Sequence, residues 1–312
     1  MSNTGIFTIS LAALAIMGCK ASPNGDDTAD APNDHTNLSD ELSTTNPMGG
    51  CVIESPTGTV PDDLYQNTGV VENDDYPPFT KTLTVNGITL LGNDDNADAF
   101  MEDVGTAIDE MFSQTASGID PTLQALVMRA MYERRTVIPF FKSDGDSEPE
   151  FTNAEWMQFE QIEENNSLCD VIFEFGGNGQ TMEVMEHILH HVNMVGLHYA
   201  LIDSWGIVEG SDVHTYMGEA IANGYYNANY DDEIDDPAEA ARVWLQEYTY
   251  WVITTGWDIQ ETYGGDGGGG EWTLQNLDDF QASQPEMAQL FDDTIPKVMV
   301  APSDATLSGF GG

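Results

Sequence analysis

Four of the chain's six histidines, His187, His190, His191 and His198, fall within the eighteen residues from Met182 to Tyr199. Glu183 and Glu186 lie in the same segment. Residues four apart on a helix stack on one face, so Glu183/His187, Glu186/His190 and His187/His191 are each neighbouring pairs. This is the spacing by which one helix presents two ligands to a single zinc ion. His198, seven residues beyond His191, approaches the same face from the next two turns. A plainer reading stands beside this one: polar members of an amphipathic helix, hydrogen-bonded to surface acids. Neither reading names a substrate.

A second feature is a lone acid in an apolar helix. The segment from Pro237 to about Thr255 carries Trp244, Leu245, Tyr248, Tyr250, Trp251 and Ile253, with Glu247 among them. A carboxylate buried there needs a cation or hydrogen-bond donors to offset its desolvation. A metal ion would serve, and so would one of the scarce arginines: Arg129, Arg134, Arg135 or Arg242. The tyrosines at 225, 226 and 230 read as packing rather than as oxyanion donors.

The elements that must position these residues follow from pattern. Leu168 to Phe175 reads as a strand ended by Gly176-Gly177-Asn178-Gly179, so strand, glycine turn and histidine helix come in succession. Lys81 to Leu91 reads as a strand or hairpin and Thr136 to Phe141 as extended. Apolar spacing predicts helices over 97–113, 121–134, 151–164, 211–224 and 276–291, with an edge segment within 295–300. Gly196 predicts the C-terminal end of the histidine helix. The fold class is α+β, mostly helical. Ser143 to Glu150 lacks the spacing of a calcium loop and reads as solvated. Gly264 to Gly270 is a flexible loop with no Lys-Ser/Thr after it to make it a phosphate loop.

Composition narrows the partners. The chain has 312 residues, with 54 acidic against 8 basic and a formal net charge of -46. Such a charge repels phosphate backbones, so nucleic acid is excluded as a partner. A hydrophobic content of 40% marks a folded protein rather than a disordered one.

The apolar run 6–17 is too short to span a bilayer and precedes Gly18-Cys19. Ile16-Met17-Gly18-Cys19 resembles the lipobox of bacterial lipoproteins, which implies a signal peptide over 1–18, lipidation of Cys19, and membrane contact only through that anchor. An ordinary secretory signal with a chance cysteine is the alternative, and both predict export to the envelope or beyond. Residues 19–50 read as a disordered acidic tether, and 51–312 as a single domain. If Cys19 carries lipid, Cys51 and Cys169 remain in an oxidising compartment, where they either form a disulfide or stay apart.

The order of signals resembles the gluzincin zinc peptidases, distantly the anthrax-lethal-factor-like ones. It resembles more closely a family of secreted microbial proteins of unassigned activity with E-E-x-L-H and later E-Y-x-Y-W segments. Here these are Glu186-His187-Ile188-Leu189-His190 and Glu247-Tyr248-Thr249-Tyr250-Trp251, with Glu271-Trp272-Thr273-Leu274 after them, and the likeness runs from about Leu83 onward. The resemblance implies a gluzincin-like fold with Glu186, His190 and Glu247 as zinc ligands. His187 then occupies the place of the catalytic glutamate. A register using His187 and His191 as ligands, with Glu183 or Glu186 as base or further ligand, supplies better zinc donors but fits the pattern less well. Two carboxylate ligands also make a metal less Lewis acidic. The expectation is a zinc-dependent, metallopeptidase-like lipoprotein acting on a peptide or protein. The alternative is a non-enzymatic surface lipoprotein with a binding or structural role.

Overall fold

In the computed structural model, which describes residues 41–142, 151–228, 230, 234–265 and 267–311, Asn86-Gly87 closes a hairpin between β2 (Lys81–Val85) and β3 (Ile88–Gly92). Their φ values of 48° and 95° are the paired left-handed conformations that a two-residue hairpin turn requires, and Asn-Gly supplies them at least cost. β1 (Val71–Glu72) lies antiparallel outside β2. β4 (Thr136–Lys142) runs parallel to β3, and β5 (Ile172–Glu174) parallel to β4. The five strands keep chain order across the sheet. Cys19, with the rest of the proposed leader, and Ser143 to Glu150 lie outside the described residues.

Parallel neighbours need crossovers. α1 (Asp98–Met111) and α2 (Pro121–Glu133) connect β3 to β4, and α3 (Asn153–Asn165) connects β4 to β5. Asp120 caps α2 by accepting from the N–H groups of Thr122 and Leu123, with Pro121 in the first turn. Thr152 and Glu155 form a capping box at the start of α3. The strand read over Leu168 to Phe175 is shorter than its composition suggests, because its first residues are bonded elsewhere. The Leu168 N–H donates to the Cys51 carbonyl, the Cys169 N–H donates to His191 Nε2, and Cys169 is disulfide-bonded to Cys51.

α4 (Gln180–His191) starts after Gly179, whose φ of 94° suits glycine. It does not end at Gly196. It widens into a π turn over Val192–Leu197 and resumes as α5 (His198–Ala200). Gly196 is there for close approach, since a Cβ would stand 2.7 Å from Val127 Cγ1 on α2. The wider turn shifts the phase of the residues after it, so His198 does not return to the face of the other histidines. Its Nε2 donates to the Thr45 carbonyl and its Nδ1 accepts from the Ile207 N–H.

Residues 41–50, read as the end of a tether, are docked. The Ser43 N–H donates to the Tyr199 carbonyl, the Met48 N–H to that of Ile207, and the Tyr199 hydroxyl to Asn46 Oδ1. This strap binds through its backbone, which its polar composition does not reveal. α6 (Ile202–Trp205) and α7 (Asp212–Asn223) lead to α8 (Pro237–Gly256), buried throughout from Leu245 to Thr255. The helix read over 276–291 is two, Leu277–Ser283 and Pro285–Val298, because Pro285 cannot continue the first but suits the first turn of the second. The edge segment read at 295–300 is therefore helical as far as Val298. Val127, Ile188, Leu189, Val192, Ile253 and Ile295 meet in the core where α2, α4, α8 and the last of these helices pack. The whole is one α+β domain in which helix predominates. Among the described residues no helix is long and apolar enough to cross a membrane.

Burial holds His198 down to about 4 from 6.5. The unfolded chain binds its proton more readily, so the stability from neutral His198 is complete above pH 6.5 and is lost as pH falls toward 4. The stability advantage of the native protein over His198→Gln, measured by denaturant unfolding, is expected to shrink by up to about 3 kcal/mol across that window.

Candidate metal centre

The glycine turn after β5 aims α4 back across the sheet edge, and α8 crosses α4 on the other side. His190 is fully buried between the two. Its Nδ1 lies 2.8 Å from Asp170 Oδ2 and its Nε2 lies 3.3 Å from Glu247 Oε1. The first contact is a hydrogen bond and the second a close ion pair. Beyond that contact neither His190 Nε2 nor Glu247 Oε1 has a hydrogen-bond partner, although both are buried. Buried polar atoms with so few partners are uncommon, and a cation between them would satisfy both.

Two sets of side chains there have ligand atoms within 4.8 Å of one another: Glu186, His190 and Glu247, and Asp170, His187 and His190. Either could hold a metal ion. The first is the group that the sequence resemblance implied. Glu186 and Asp170, with side chains 21% and 20% exposed, form the open side of the cluster, while Glu247 at 4% lies at its floor.

Electrostatics show why a cation fits. Burial and the nearby Glu247 push Glu186 well above the usual carboxylate range, against the opposing pull of His187 and His190. Burial works against protonation of His190, but Glu247 and Asp170 outweigh it and raise the ring to about 9. Burial would also raise Asp170, yet His187 and His190 hold its carboxyl below the ordinary range. Glu271 is pushed up to about 7 by burial and by Glu247, while its Oε1 accepts from the Tyr230 hydroxyl and Trp251 Nε1. Protons on the histidines and acids hold this cluster together. A divalent ion would do so without them.

His187 sits at the mouth of the group. Its Nδ1 is 3.2 Å from Glu183 Oε1, and its Nε2 is 3.5 Å from Asp170 Oδ2 and 3.8 Å from Glu186 Oε1. Glu183 is itself held by the Phe173 N–H of β5 at 2.9 Å. Burial disfavours the imidazolium of His187, but Asp170 and Glu183 overcome it and raise the ring well above its ordinary value.

His191, read as a further ligand, is a correction. Its Nδ1 donates to the His187 carbonyl at 2.7 Å and its Nε2 accepts from the Cys169 N–H at 3.1 Å. Both ring nitrogens are occupied, and burial pushes the ring down to about 4. This histidine ties α4 to the disulfide rather than reaching a metal.

Comparison of the chain with protein families, curated proteins and solved structures finds no match in any of the three.

The arginine explanation of Glu247 fails on the same geometry. Arg129 pairs with Glu133, Arg134 donates to the carbonyls of Ile53 and Glu54, and Arg135 Nε donates to Asn166. Arg242 donates to Gln246 and lies 3.5 Å from Glu239, so it acts on Glu247 only at a distance. None forms an ion pair with Glu247 among the described residues.

Sequence reasoning missed Asp170. It carries no periodic signal, and only the disulfide at Cys169 and the pairing of β5 bring it beneath α4. By accepting from Nδ1 it holds the His190 ring with Nε2 toward Glu247, as a carboxylate orients a ligating histidine, whose Nε2 would give up its proton on binding a metal. Asp170→Asn is expected to weaken zinc binding about 10- to 100-fold in a chelator-competition titration, with little change in the far-ultraviolet circular dichroism. Unchanged affinity would show that Asp170 does not orient the ring.

Proposed function

We propose that Glu186, His190 and Glu247 hold a zinc ion and that the protein is a metallopeptidase-like zinc protein acting on peptides. The observation that supports this reading is the facing pair of buried atoms, His190 Nε2 and Glu247 Oε1, 3.3 Å apart and with no further hydrogen-bond partner, with Glu186 beside them. One imidazole and two carboxylates make an acceptable donor set for zinc, and a third partner, Asp170, already orients the imidazole. A zinc ion there would polarise a peptide carbonyl and acidify a bound water.

The chain's own residues take defined parts in this proposal. His190 and the two glutamates bind the ion. His187, whose Nδ1 faces Glu183 and whose Nε2 faces Glu186, handles the proton exchanged with water or with the leaving amine. Glu183 holds that ring and is itself anchored to β5. Export and a lipid anchor at Cys19 belong to the same proposal and are supported by the lipobox-like Ile16-Met17-Gly18-Cys19.

A second reading has an observation of its own. The resemblance puts His187 in the place of a gluzincin's glutamate base, and the carboxylates of Asp170, Glu183 and Glu186 beside it favour the protonated ring, which cannot accept a proton from water. Two carboxylate ligands lower the Lewis acidity as well. On this reading the chain is a zinc-binding protein without hydrolysis, serving a binding or structural role at the cell surface.

Metal analysis by mass spectrometry separates these possibilities. The purified protein is expected to carry near-stoichiometric zinc, and Glu186→Ala/His190→Ala to carry none. Absence of zinc from both, with no thermal stabilisation on zinc addition, would remove the proposal. If zinc is bound, a peptide library decides the rest. Cleavage that falls at least ~100-fold in His187→Ala with zinc retained supports the peptidase, whereas zinc without cleavage supports the binding protein.

A further inference from the structure

Away from the metal centre, a cavity of ≈ 240 Å³ lies where the 57–59 loop, the Asn86-Gly87 turn, the end of α2 and the start of β4 come together. Its walls include Arg135, Thr57, Thr59, Thr89, Tyr76 and Tyr132, and no Asp or Glu lines it. That is unexpected in a chain with 54 acidic residues and 8 basic ones. The acid that acts on its wall, through Tyr132, is Asp63, and Asp63 Oδ1 is already accepting from the Tyr65 N–H.

Arg135 is placed there against its backbone preference. It comes directly after Arg134, the C-cap of α2, and so occupies the position where a helix usually ends in glycine. Its φ is +52°, in the left-handed region that disfavours a side chain. The neighbouring arginine shows what a purely structural role looks like. Arg134 is buried, donates to two carbonyls and lies 4.0 Å over the Tyr199 ring. Arg135 is exposed, and its one side-chain hydrogen bond, from Nε to Asn166 Oδ1, leaves both terminal nitrogens without a partner among the described residues. Strain retained at a non-glycine residue beside a cavity is a mark of a functional position.

We infer that this cavity binds a small oxyanion, a carboxylate or a phosphoryl group, through the Arg135 guanidinium and the hydroxyls of Thr57, Thr59 and Tyr76. The terminal nitrogens of a guanidinium offer the paired donors that planar oxyanions accept. The hydroxyls add neutral donors, and the acid-free lining spares the anion the repulsion it meets over the rest of the surface. The volume admits a small molecule and not a folded partner. The site is independent of the metal centre, so the failure of one leaves the other standing.

The test is thermal unfolding and calorimetric titration of the full chain with sodium acetate and with sodium phosphate, each against sodium chloride at equal ionic strength. A saturable stabilisation by either oxyanion beyond that of chloride is expected. Acetate alone would identify a carboxylate ligand, phosphate alone a phosphoryl ligand, and both a general oxyanion site. Because oxyanions also ligate zinc, Arg135→Gly is the deciding comparison. Without added oxyanion it is expected to unfold at the same temperature as the native protein or higher, since glycine accepts this φ freely, and to lose the oxyanion response. No stabilisation beyond chloride, or an undiminished response in Arg135→Gly, would overturn the inference.

Discussion

Burial of several carboxylates around one imidazole is the constraint on which the centre of this molecule depends. Glu186 and Glu247 converge on His190 from two helices, Asp170 meets the ring from below, and Glu183 and Glu271 stand one residue further out. Two like charges about 4 Å apart repel by about 4 kcal/mol at the effective dielectric of a protein surface, and by more where water is excluded. Such a group needs either protons on some of its carboxylates or positive charge among them. The protonated histidines are one solution and a metal ion is another. The facing atoms of His190 and Glu247, with Glu186 beside them, could hold the second.

The scaffold around this group is correspondingly rigid. Asp170 adjoins a cysteine disulfide-bonded to Cys51, and the Cys169 backbone is held by His191 on the ligand helix itself. Glu183 is tied to β5 through the Phe173 N–H, and Gln180 accepts from the N–H groups of Phe175 and Gly176 while donating to the Phe173 carbonyl. The start of α4 is thereby fixed to the strand that precedes it. On the far side, Asn193 in the π turn donates to Thr249 on α8, two residues beyond Glu247. Side chains that must approach to within ligand distance are thus carried on regular elements with cross-links on both sides, which is how a site keeps its geometry.

Positive charge is used sparingly and locally. Arg134 fastens the N-terminal strap region, Arg242 lies under Gly49 of that strap, and Lys81 and Lys142 flank the buried Asn96–Glu174 contact at the start of α1. Each of these cations has protein partners. Arg135 keeps its terminal nitrogens free of partners among the described residues and lines a cavity without acids. On so acidic a surface, an arginine placed in this way favours attraction of anions to that cavity.

What the sequence determined by itself is what short-range spacing determines. The i,i+4 pairs of the histidine helix, the extended segment over Lys81 to Leu91, the proline starts at 121 and 237, and the burial of Glu247 among aromatic residues all rest on local backbone geometry and apolar periodicity. Glu186, His190 and Glu247 were legible as a set only through resemblance, since spacing within one helix says nothing about which residue of another helix will face it. Tertiary structure decided the rest. It filled both nitrogens of His191 with backbone partners and carried His198 out of phase through a π turn opposite Val127. It brought Asp170 beneath His190 by way of the disulfide and docked a polar strap through main-chain hydrogen bonds. These outcomes depend on contacts between segments far apart in the chain. The packing that settles them is a property of the assembled core, to which each local pattern contributes only one face.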